Sequence, residues 1–338
     1  MANKLGKEYL QRAGADLEMV RDLRRAKTQR REGGQKVILH KFIKEVCPSY
    51  KFYKVHAELT KQLQRVIDGD CRRLIIQIPP RTGKSMISSK LFPAAYLIAH
   101  PDRYVGISSY SAELAEGFSR AARDYYRESG GTFDPYKQAV NDWGTQGGGG
   151  LWAAGVGGAI TGRSGHCLII DDPVKNREDA DSPRLMEKLW DWYTSTLYTR
   201  LEPGVGSIVV IQTRWSENDL IGKLLESEMN VSEKGRENWT ILDLPAMSED
   251  AGSRPILPGH CSVPTDWREE PGLALCPQRY DADEYDRIRE AIGARDFAAL
   301  YQQRPAPEGG NMFDPSWWQY YEHDTVMPEF QRVMLSVD

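Results

Sequence analysis

The sequence contains 338 residues, which exceeds the roughly 100 to 200 residues of a typical domain and predicts one large or two modest domains. Hydrophobic residues make up 40% and charged residues 27% of the chain, a composition typical of soluble globular proteins, and no apolar run approaches the ~20 residues that span a bilayer. The formal net charge is only −4, so total charge does not indicate nucleic-acid binding, which would require a local basic surface.

The cysteines form neither a CxxC pair nor a Cys/His cluster in the sequence. This pattern argues against zinc sites and against a disulfide framework, and it suits a reducing cytosol. The N-terminus is polar and basic, so we expect no secretory signal. The five cysteines are Cys47, Cys71, Cys167, Cys261 and Cys276.

Residues 1 to 34 have a polar, helical pattern that contains a basic run. Between Arg21 and Arg31, six basic residues accompany a single acidic one. Such a run is typical of a solvated helix face, and the alternative is a surface that docks nucleic acid or a protein partner. Gly33 and Gly34 then end the helical pattern.

Residues 37 to 68 predict two amphipathic helices with Pro48 between them. Phe52 and Tyr53, followed by His56, lead into the second helix. Aromatic side chains placed before a phosphate-binding turn can stack on an adenine, and packing in the helix core is the alternative. Phe52 and Tyr53 are therefore candidate nucleotide-binding residues.

An apolar strand over residues 74 to 78 leads into a tight turn that ends in Gly83, Lys84 and Ser85. Residues 86 to 100 then have helical spacing, and this order of strand, turn and helix is typical of a phosphate-binding loop. Gly83 lets the backbone approach a phosphate, Lys84 can reach the β- and γ-phosphate oxygens, and Ser85 offers a hydroxyl to Mg²⁺. The start of the helix adds N–H donors and a positive dipole end.

The turn departs from the usual phosphate-loop pattern at one position. That pattern has a glycine five residues before Gly83, where this chain has Ile78. Arg81 places a second cation beside the phosphates, and two prolines stiffen the turn. The alternative is an ordinary strand-to-helix turn with a chance Gly-Lys-Ser sequence, and the residues downstream must decide.

The next segments alternate between strand and helix. Residues 104 to 108 predict a buried strand and residues 112 to 128 a helix, which favours a parallel sheet with helices on both faces. Residues 144 to 165 are glycine-rich, with four glycines in a row at 147 to 150. They predict either a hairpin with a flexible connection or a mobile active-site loop.

A second apolar strand over residues 167 to 170 ends in two acids, Asp171 and Asp172. Catalytic groups in parallel sheets lie at the carboxyl ends of strands, so these carboxylates are expected to face the phosphate loop. Asp171 would hold Mg²⁺ and Asp172 would orient or deprotonate the attacking water. The alternative is that the paired acids only cap a following helix.

Residues 184 to 201 predict a helix rich in Trp and Tyr, more typical of a core face than of a binding surface. A strand over residues 207 to 212 ends in Thr213, and a polar residue at such a position can contact the γ-phosphate and couple its loss to movement. The remaining expectations are a strand at 239 to 244, a loose Pro/Gly-rich region at 245 to 277, a helix at 281 to 300, a linker at 301 to 310, an aromatic cluster at 317 to 321 and a strand at 333 to 338. A strand at the terminus predicts that another domain follows.

Five motifs that occur in one order resemble the ATPase portion of the large terminase subunit, the DNA-packaging motor protein of tailed bacteriophages. The resemblance runs from about residue 37 to 338. It implies an α/β P-loop NTPase fold of the ASCE or RecA-like type, with an N-terminal helical segment and a small C-terminal linker subdomain. The motifs are Ile-Pro-Pro-Arg-Thr-Gly-Lys-Ser at 78–85, Gly-Gly-Ala-Ile-Thr-Gly-Arg at 157–163, Leu-Ile-Ile-Asp-Asp-Pro at 168–173, Thr-Arg-Trp-Ser-Glu-Asn-Asp-Leu at 213–220 and Tyr-Gln-Gln-Arg-Pro at 301–305.

The resemblance accounts for the missing glycine, because this family has a deviant phosphate loop in which an arginine, here Arg81, precedes Gly-Lys-Ser/Thr. Walker A then corresponds to residues 81–85 and Walker B to residues 168–171, with Asp172 as the catalytic acid where many members have Glu. The nucleotide-binding residues that it implies are Pro80, Arg81, Thr82, Gly83, Lys84, Ser85 and Met86.

The resemblance also assigns coupling and trans-acting roles. The coupling motif corresponds to residues 212–214, with Thr213 at its centre. Family members supply an arginine to the ATP of the neighbouring subunit, and Arg163 is the best candidate by position. Arg200 is the second candidate, and Arg163 acting in cis or simply holding its loop is a further alternative.

The domain boundaries that we expect are 1–36 for the basic helical segment, 37–245 for the ATPase core, 246–330 for a linker or lid subdomain and 331–338 for the first strand of a nuclease domain. By the resemblance, Asp338 is the first metal-ligating acid of that ribonuclease-H-like domain. One acid cannot assemble a two-metal site, so we expect ATPase activity and no DNA cleavage from these residues.

The resemblance implies ATP and Mg²⁺ as cofactors, and double-stranded DNA, the procapsid portal protein and the small terminase subunit as partners. It implies a homo-oligomeric ring, a pentamer by family, that works at the portal vertex in the host cytoplasm, without membrane contact, and is not retained in the mature virion. DNA contacts should be mainly to phosphates and therefore salt-sensitive. Two rivals are a helicase-like remodelling ATPase, which needs a second recombinase-type lobe that the chain after residue 244 is too short to hold, and a nucleotide-binding scaffold without turnover.

Overall fold

A computed structural model describes residues 34–250 and 257–306. Several predicted segments lie outside these residues. They are the basic helix, the part of the 246–330 subdomain after residue 306, the aromatic cluster and the terminal strand with Asp338. One eight-stranded sheet organises the described part, in the order β3-β4-β5-β2-β6-β7-β1-β8. Its strands are β1 (Arg73–Gln77), β2 (Tyr104–Ser109), β3 (Phe133–Ala139), β4 (Asp142–Thr145), β5 (Gly150–Gly155), β6 (Cys167–Asp171), β7 (Ser207–Ile211) and β8 (Thr240–Asp243).

The sheet is mostly parallel. The six strands from β5 to β8 in the sheet order all pair in parallel, and β4 pairs antiparallel with β5 and with β3. Strand β7 lies between β1 and β6. The turn after β1 therefore reaches the same edge of the sheet as Asp171, the last residue of β6, and Asp172, which follows it. The α/β fold expected from the sequence is confirmed.

Helices connect and cover the strands. Two of the helical segments begin or continue as π-helical turns, at Met86–Leu91 and Trp192–Leu197, and the latter leads into a short turn at Tyr198–Arg200. A further such turn, Phe297–Tyr301, follows the last helices. The α-helices are α1 (Leu39–Val46), α2 (Lys54–Asp68), α3 (Phe92–Ala99), α4 (Ala112–Glu128), α5 (Arg177–Ala180), α6 (Pro183–Asp191), α7 (Leu220–Asn230), α8 (Ala282–Ile292) and α9 (Ala294–Asp296).

Both faces of the sheet are buried, as the continuous apolar strands predict. Leu74 and Ile76 face a core shared with α1 to α4, whereas Ile75 faces a second core shared with α6 and α7. Strand alternation explains this division, because successive side chains point to opposite faces. Among the described residues, no helix is long and apolar enough to cross a membrane.

The glycine-rich region at residues 144–165 contains the hairpin that one of the two alternatives predicted, because β4 and β5 pair antiparallel. Strand β5 also pairs in parallel with β2, so it lies inside the sheet. Two of its glycines are needed for close backbone approach, since a Cβ at Gly150 would overlap the carbonyl of Trp143 and one at Gly155 would lie 2.7 Å from the Ala112 nitrogen. Glycine here permits tight strand packing as well as a turn.

The segment after β8 is held by single backbone bridges and contains no helix before α8 in its described part. Residues 301–306, expected to begin a linker, are docked on the core: the Gln302 side chain donates to the Met247 carbonyl at 3.1 Å and accepts from its N–H at 2.8 Å. Arg304 forms an ion pair with Asp243 at 2.9 Å and with Glu249 at 2.8 Å. Residues 302–304 therefore pack against the core through side-chain hydrogen bonds and ion pairs.

Candidate nucleotide site

The turn between β1 and the next helical segment has an unusual backbone. Arg81 has a φ of 61° and Gly83 a φ of 85°, both in the left-handed region. The Thr82 hydroxyl donates to the Pro79 carbonyl at 2.8 Å, and the Thr82 carbonyl lies 2.7 Å from His56 Nε2. A Cβ at position 83 would overlap the Tyr50 hydroxyl, so only glycine fits this backbone and its surroundings.

Lys84 extends from this turn to the ends of β6 and β7. Its Nζ contacts the Thr213 hydroxyl and lies 3.8 Å from Asp172 Oδ2. The Thr213 N–H in turn donates to Asp172 Oδ1 at 2.7 Å. The lysine side chain is 6% exposed and the Asp172 side chain 30% exposed, so protein encloses the cation of this triad while solvent reaches the carboxylate.

Asp171 lies beside the first helical turn after the phosphate loop and has no solvent exposure. The Ser85 hydroxyl donates to its Oδ1 at 3.1 Å, and the Ser89 hydroxyl donates to its Oδ2. Burial, and then the charge of Asp172, raise the pKa of Asp171 to about 7. A nearby cation would favour the ionised form of this buried carboxyl and so lower its pKa.

These donors fit a magnesium ion. Mg²⁺ prefers oxygen ligands, and it is commonly held by one or two carboxylates together with substrate phosphates. The Ser85 hydroxyl and the Asp171 carboxylate supply such oxygens side by side. Ser89 was not among the predicted residues, although its position four residues after Ser85 on a helical segment places both on one face.

Arg214 links the end of β7 to three other parts of the chain. Its guanidinium donates to Asp219 at 2.9 Å and to the Gln77 side chain at 2.9 Å. Its backbone N–H points at the Gln303 side-chain oxygen at 3.5 Å. Asp219 also caps α7 by accepting from the Gly222 N–H at 3.0 Å, and an Asp just before an apolar helical pattern is the sequence signal that could have found it.

The predicted aromatic residues surround His56. The rings of Phe52 and Tyr53 lie 5.7 Å and 5.5 Å from the imidazole, and both side chains pack partly buried against the core. Met86 packs against the same core. Tyr50, which the sequence did not single out, is the aromatic residue that lies directly over Gly83. The contacts of Phe52 and Tyr53 are those of the core-packing alternative.

The three candidate arginines occupy different places. Arg81 is exposed on the phosphate loop, with no hydrogen-bond or ion-pair partner among residues 34–250 and 257–306. Arg163 lies 3.9 Å from Asp142 and 5.8 Å from the centre of the Trp152 ring, on the β4–β5 side of the sheet. The backbone carbonyl of Arg200 accepts from the Gly165 N–H at 2.9 Å, near the start of β6, whereas the phosphate loop lies near the carboxyl ends of the strands. The structure therefore groups neither Arg163 nor Arg200 with Lys84.

Comparison with known proteins gives one matching family and several solved structures of low sequence identity. The family described as "Terminase large subunit, T4likevirus-type, N-terminal" matches residues 75–319. Among solved structures, the large terminase of bacteriophage HK97 is 17% identical over 56% of this chain and 40% of its own, with a TM-score of 0.40. The large terminase of a thermophilic bacteriophage is 9% identical over 71% of this chain; its ADP complex has a TM-score of 0.39 over 52% of its length, and another structure of it has 0.41 over 51%.

The chain thus spans about two fifths to one half of the length of these neighbours. No curated protein matches the sequence. The family match covers most of the chain, including the phosphate loop, Asp171, Asp172 and the end of β7. On that match, the chain belongs to the T4-like family of large terminase subunits, in the N-terminal part of that protein.

Proposed function

We propose that the chain is an ATP-hydrolysing motor subunit that moves double-stranded viral DNA into a procapsid. The observation that carries the proposal is the meeting of Lys84, Asp171, Asp172 and Thr213 around one phosphate-binding turn. Family membership supports the same activity. The predicted ATPase core at residues 37–245 and the linker subdomain after it remain our proposed domain division.

In this proposal the reaction is in-line attack of water on the γ-phosphate of ATP. Lys84 and the exposed Arg81 offset charge on the phosphate oxygens, and Asp172 positions the attacking water. The backbone and side chains of residues 80–86 hold the remaining phosphate oxygens. We also propose Phe52 and Tyr53 as neighbours of the base, and the position of Tyr50 over Gly83 adds a third aromatic candidate.

Ser85 and Asp171 are the proposed ligands of Mg²⁺. When bound, the ion would neutralise charge on the phosphate oxygens. The burial of Asp171 supports this role, because an ionised carboxylate without solvent exposure requires a compensating charge.

Thr213 is the proposed coupling residue. Its hydroxyl contacts Lys84 and its N–H binds Asp172, so a change at the γ-phosphate alters both of its partners. The next residue, Arg214, connects the end of β7 to Gln303, whose side chain is buried. This continuous set of contacts supports transmission from the nucleotide to the segment that follows α9.

The remaining partners follow from the family. We propose contact with DNA phosphates, with the procapsid portal and with the small terminase subunit, in a homo-oligomeric ring at the portal vertex in the host cytoplasm. We propose Arg163, with Arg200 as the second candidate, as the arginine that acts on the neighbouring subunit's ATP. Asp338, as the first acid of a nuclease domain, stays a prediction outside the described residues.

Phosphate release from MgATP tests the proposal, measured with and without duplex DNA and portal-bearing procapsids. Lys84→Ala and Asp171→Ala are each expected to lower the rate about a hundredfold or more, since each removes charge stabilisation at the reacting phosphate. Lys90→Ala is the matched control, because Lys90 lies on the helical segment that follows the phosphate loop but extends over the Phe118 ring, and it should retain the wild-type rate.

Unchanged phosphate release in both site variants would reject hydrolysis at this turn. Nucleotide binding without any turnover in the wild type would favour the scaffold alternative. Turnover that responds to DNA but not to procapsids would favour the remodelling alternative.

A further inference from the structure

Three side chains of metal-ligand type lie together at a distance from the nucleotide site. They are Glu228 on α7 and the adjacent residues His260 and Cys261. One ligand atom of each lies within 4.8 Å of the other two: a carboxylate oxygen, an imidazole nitrogen and the thiol sulfur. Among the described ranges, no other group of three His, Cys, Asp or Glu side chains meets this condition.

The cluster lies near the start of β8, whereas the phosphate loop follows the end of β1, the parallel neighbour of β8. Helix α7 is capped by Asp219 beside Arg214, and Glu228 follows nine residues later, about 14 Å along the helix axis. Glu228 accepts from the Glu237 N–H at 3.0 Å, just before β8 begins. The cluster therefore does not belong to the nucleotide site.

Backbone hydrogen bonds fix the two loop residues in place. The Cys261 N–H donates to the Pro258 carbonyl at 2.8 Å. The next residue, Ser262, donates to Trp239 at 2.9 Å and accepts from Ile241 at 2.8 Å, which attaches the pair to the open edge of β8. The side chains of Glu228 and His260 are 5% and 17% exposed, so protein encloses most of both.

The charges of the cluster suit a divalent cation. His260 Nε2 lies 2.7 Å from Glu228 Oε2, and the Cys261 thiol sulfur lies within 4.8 Å of a ligand atom of each. A divalent ion bound by one carboxylate, one thiolate and one neutral imidazole gives a site with no net charge. Binding releases the thiol proton to water, and a doubly charged ion replaces the hydrogen bond between the imidazole and the carboxylate.

We infer that Glu228, His260 and Cys261 form a binding site for a divalent transition metal of the zinc class, with three protein ligands and an open fourth position. Cysteine sulfur, histidine nitrogen and a carboxylate oxygen are the ligands that Zn²⁺ takes in proteins, and the thiolate disfavours Mg²⁺ and Ca²⁺. The sequence argued against a zinc site because the third ligand lies more than thirty residues away, on α7.

The site would fasten the segment after β8 to the core. The described residues between β8 and α8 are held by isolated bridges rather than by helices or strands. A metal that joins His260 and Cys261 to α7 adds a cross-link where regular structure is sparse. This role is independent of ATP hydrolysis and would stand if the proposed motor function failed.

Cobalt titration of the metal-free full chain, in excess Mg²⁺, tests the inference. Co²⁺ is expected to bind with one equivalent per chain and to produce a thiolate-to-cobalt absorption band, which added Zn²⁺ abolishes. Cys261→Ser should abolish the band, and Glu228→Gln and His260→Ala should weaken Co²⁺ binding by more than about tenfold. Zn²⁺ should raise the Tm of the wild type but not that of Cys261→Ser.

Cys47→Ser is the matched control, since Cys47 is another free, half-buried thiol outside the cluster, and this variant should keep the band. Absence of the band in the folded wild type would overturn the inference, as would a band that persists in Cys261→Ser. Circular dichroism confirms that each variant is folded before titration. No nucleotide is present, so the result does not depend on phosphate chemistry.

Discussion

At the scale of single residues, two of the four described non-glycine residues with positive φ lie at the nucleotide site. Arg81 and Asp172 are non-glycine residues with φ of 61° and 43°, and they flank the space into which Lys84 points. Asp172 is held in this conformation because its N–H donates to the Ile211 carbonyl at 2.8 Å while its side chain accepts from Thr213. Such backbone conformations cost of order 1–3 kcal/mol and persist where surrounding contacts enforce them.

Asp172→Asn tests the role of this carboxylate with little change in shape. Asparagine tolerates the left-handed conformation and can still accept from the Thr213 N–H, but it cannot take a proton from water. We expect phosphate release to fall by about 10² or more while nucleotide affinity stays within a few fold. Fluorescent-nucleotide binding and phosphate release measure the two effects separately.

Asp191→Asn is the control for this substitution, since Asp191 is an exposed acid on α6 and should behave as wild type. A rate for Asp172→Asn equal to that of the wild type would exclude the proposed positioning of water.

His56 is a second residue whose chemistry is set by its surroundings. Its Nε2 lies 2.7 Å from the Thr82 carbonyl and must donate, so Nδ1 accepts from the Tyr53 N–H at 3.1 Å. Burial lowers the pKa of His56, despite the opposing hydrogen bond to Thr82, and the charge of Arg279 lowers it further. The neutral ring therefore holds the phosphate loop from beneath.

The lowered pKa predicts a pH-dependent stability. Between its folded pKa and the ordinary value of 6.5, the unfolded chain binds more protons than the folded chain, so the free energy of unfolding rises with pH. The contribution of His56 is complete above pH 6.5 and is lost as the pH falls below that value. Urea midpoints at several pH values should show a smaller acid loss in His56→Gln than in the wild type.

His40→Gln, at an exposed position on α1, provides the reference and should follow the wild-type curve. His100 and His166 also have lowered pKa values through burial, so part of the acid loss remains in every variant. An identical acid loss in His56→Gln and wild type would contradict the assigned protonation.

At the scale of elements, one close contact joins the neighbouring strands β2 and β5. Gly106 and Trp152 are directly paired, and a Cβ at position 106 would overlap the indole ring. The ring cannot move away freely, because it is buried and its Nε1–H donates to the Ser164 carbonyl at 2.9 Å. The glycine thus makes room for the tryptophan that fixes the position of β5.

Two glycine-to-alanine substitutions should therefore have opposite effects. Gly106→Ala is expected to lower the free energy of unfolding by about 1–3 kcal/mol through overpacking. Gly117→Ala, inside α4 with no atom within 4 Å of the added Cβ, should raise it by about 1 kcal/mol through helix propensity. Urea denaturation of both variants beside the wild type measures the difference.

The paired design removes the ambiguity of a single substitution, because the chemical change is the same at both positions. Equal effects of the same sign would show that neither the tryptophan contact nor the helix decides the outcome.

At the scale of the whole molecule, Arg163 lies apart from the nucleotide site of its own chain, and its proposed action on a neighbouring subunit needs a test. The Trp152 ring beneath it lies three residues before the end of β5, and β5 lies two strands from β6. Strand geometry places that ring about 10 Å back and about 10 Å sideways from Asp171. Arg163 is half-exposed, and its contacts are with Asp142 and Trp152 on the β4–β5 side of the sheet.

Mixing two inactive variants tests this arrangement. Chains with Arg163→Ala keep an intact phosphate site, and chains with Asp172→Ala keep the arginine. Under conditions where the motor assembles on procapsids, mixtures should regain phosphate release that neither variant has alone, because some interfaces then combine both intact groups. Failure to regain activity at any ratio would count against action in trans and favour Arg163 as a partner of Asp142 only.

The apolar strands, the helices between them and the Gly-Lys-Ser turn are local patterns, and they predicted the α/β sheet and most element bounds correctly. Asp171, Asp172 and Thr213 were expected to lie close together for the same reason, since the carboxyl ends of parallel strands share an edge, and the structure places them there. Helix α7 and strand β3 were not predicted, and β5 was expected only as one strand of a hairpin.

Contacts between distant segments were decided only by the tertiary structure. Ser89 beside Asp171, Tyr50 over Gly83, Gln303 beneath Arg214 and Glu228 beside Cys261 join residues that lie from about thirty to ninety positions apart. The sequence by itself determined most of the strands and the position of the phosphate loop, because hydrophobic periodicity and turn chemistry are local. Partners for buried polar groups depend on which segments the packed core brings together, and no local pattern carries that information.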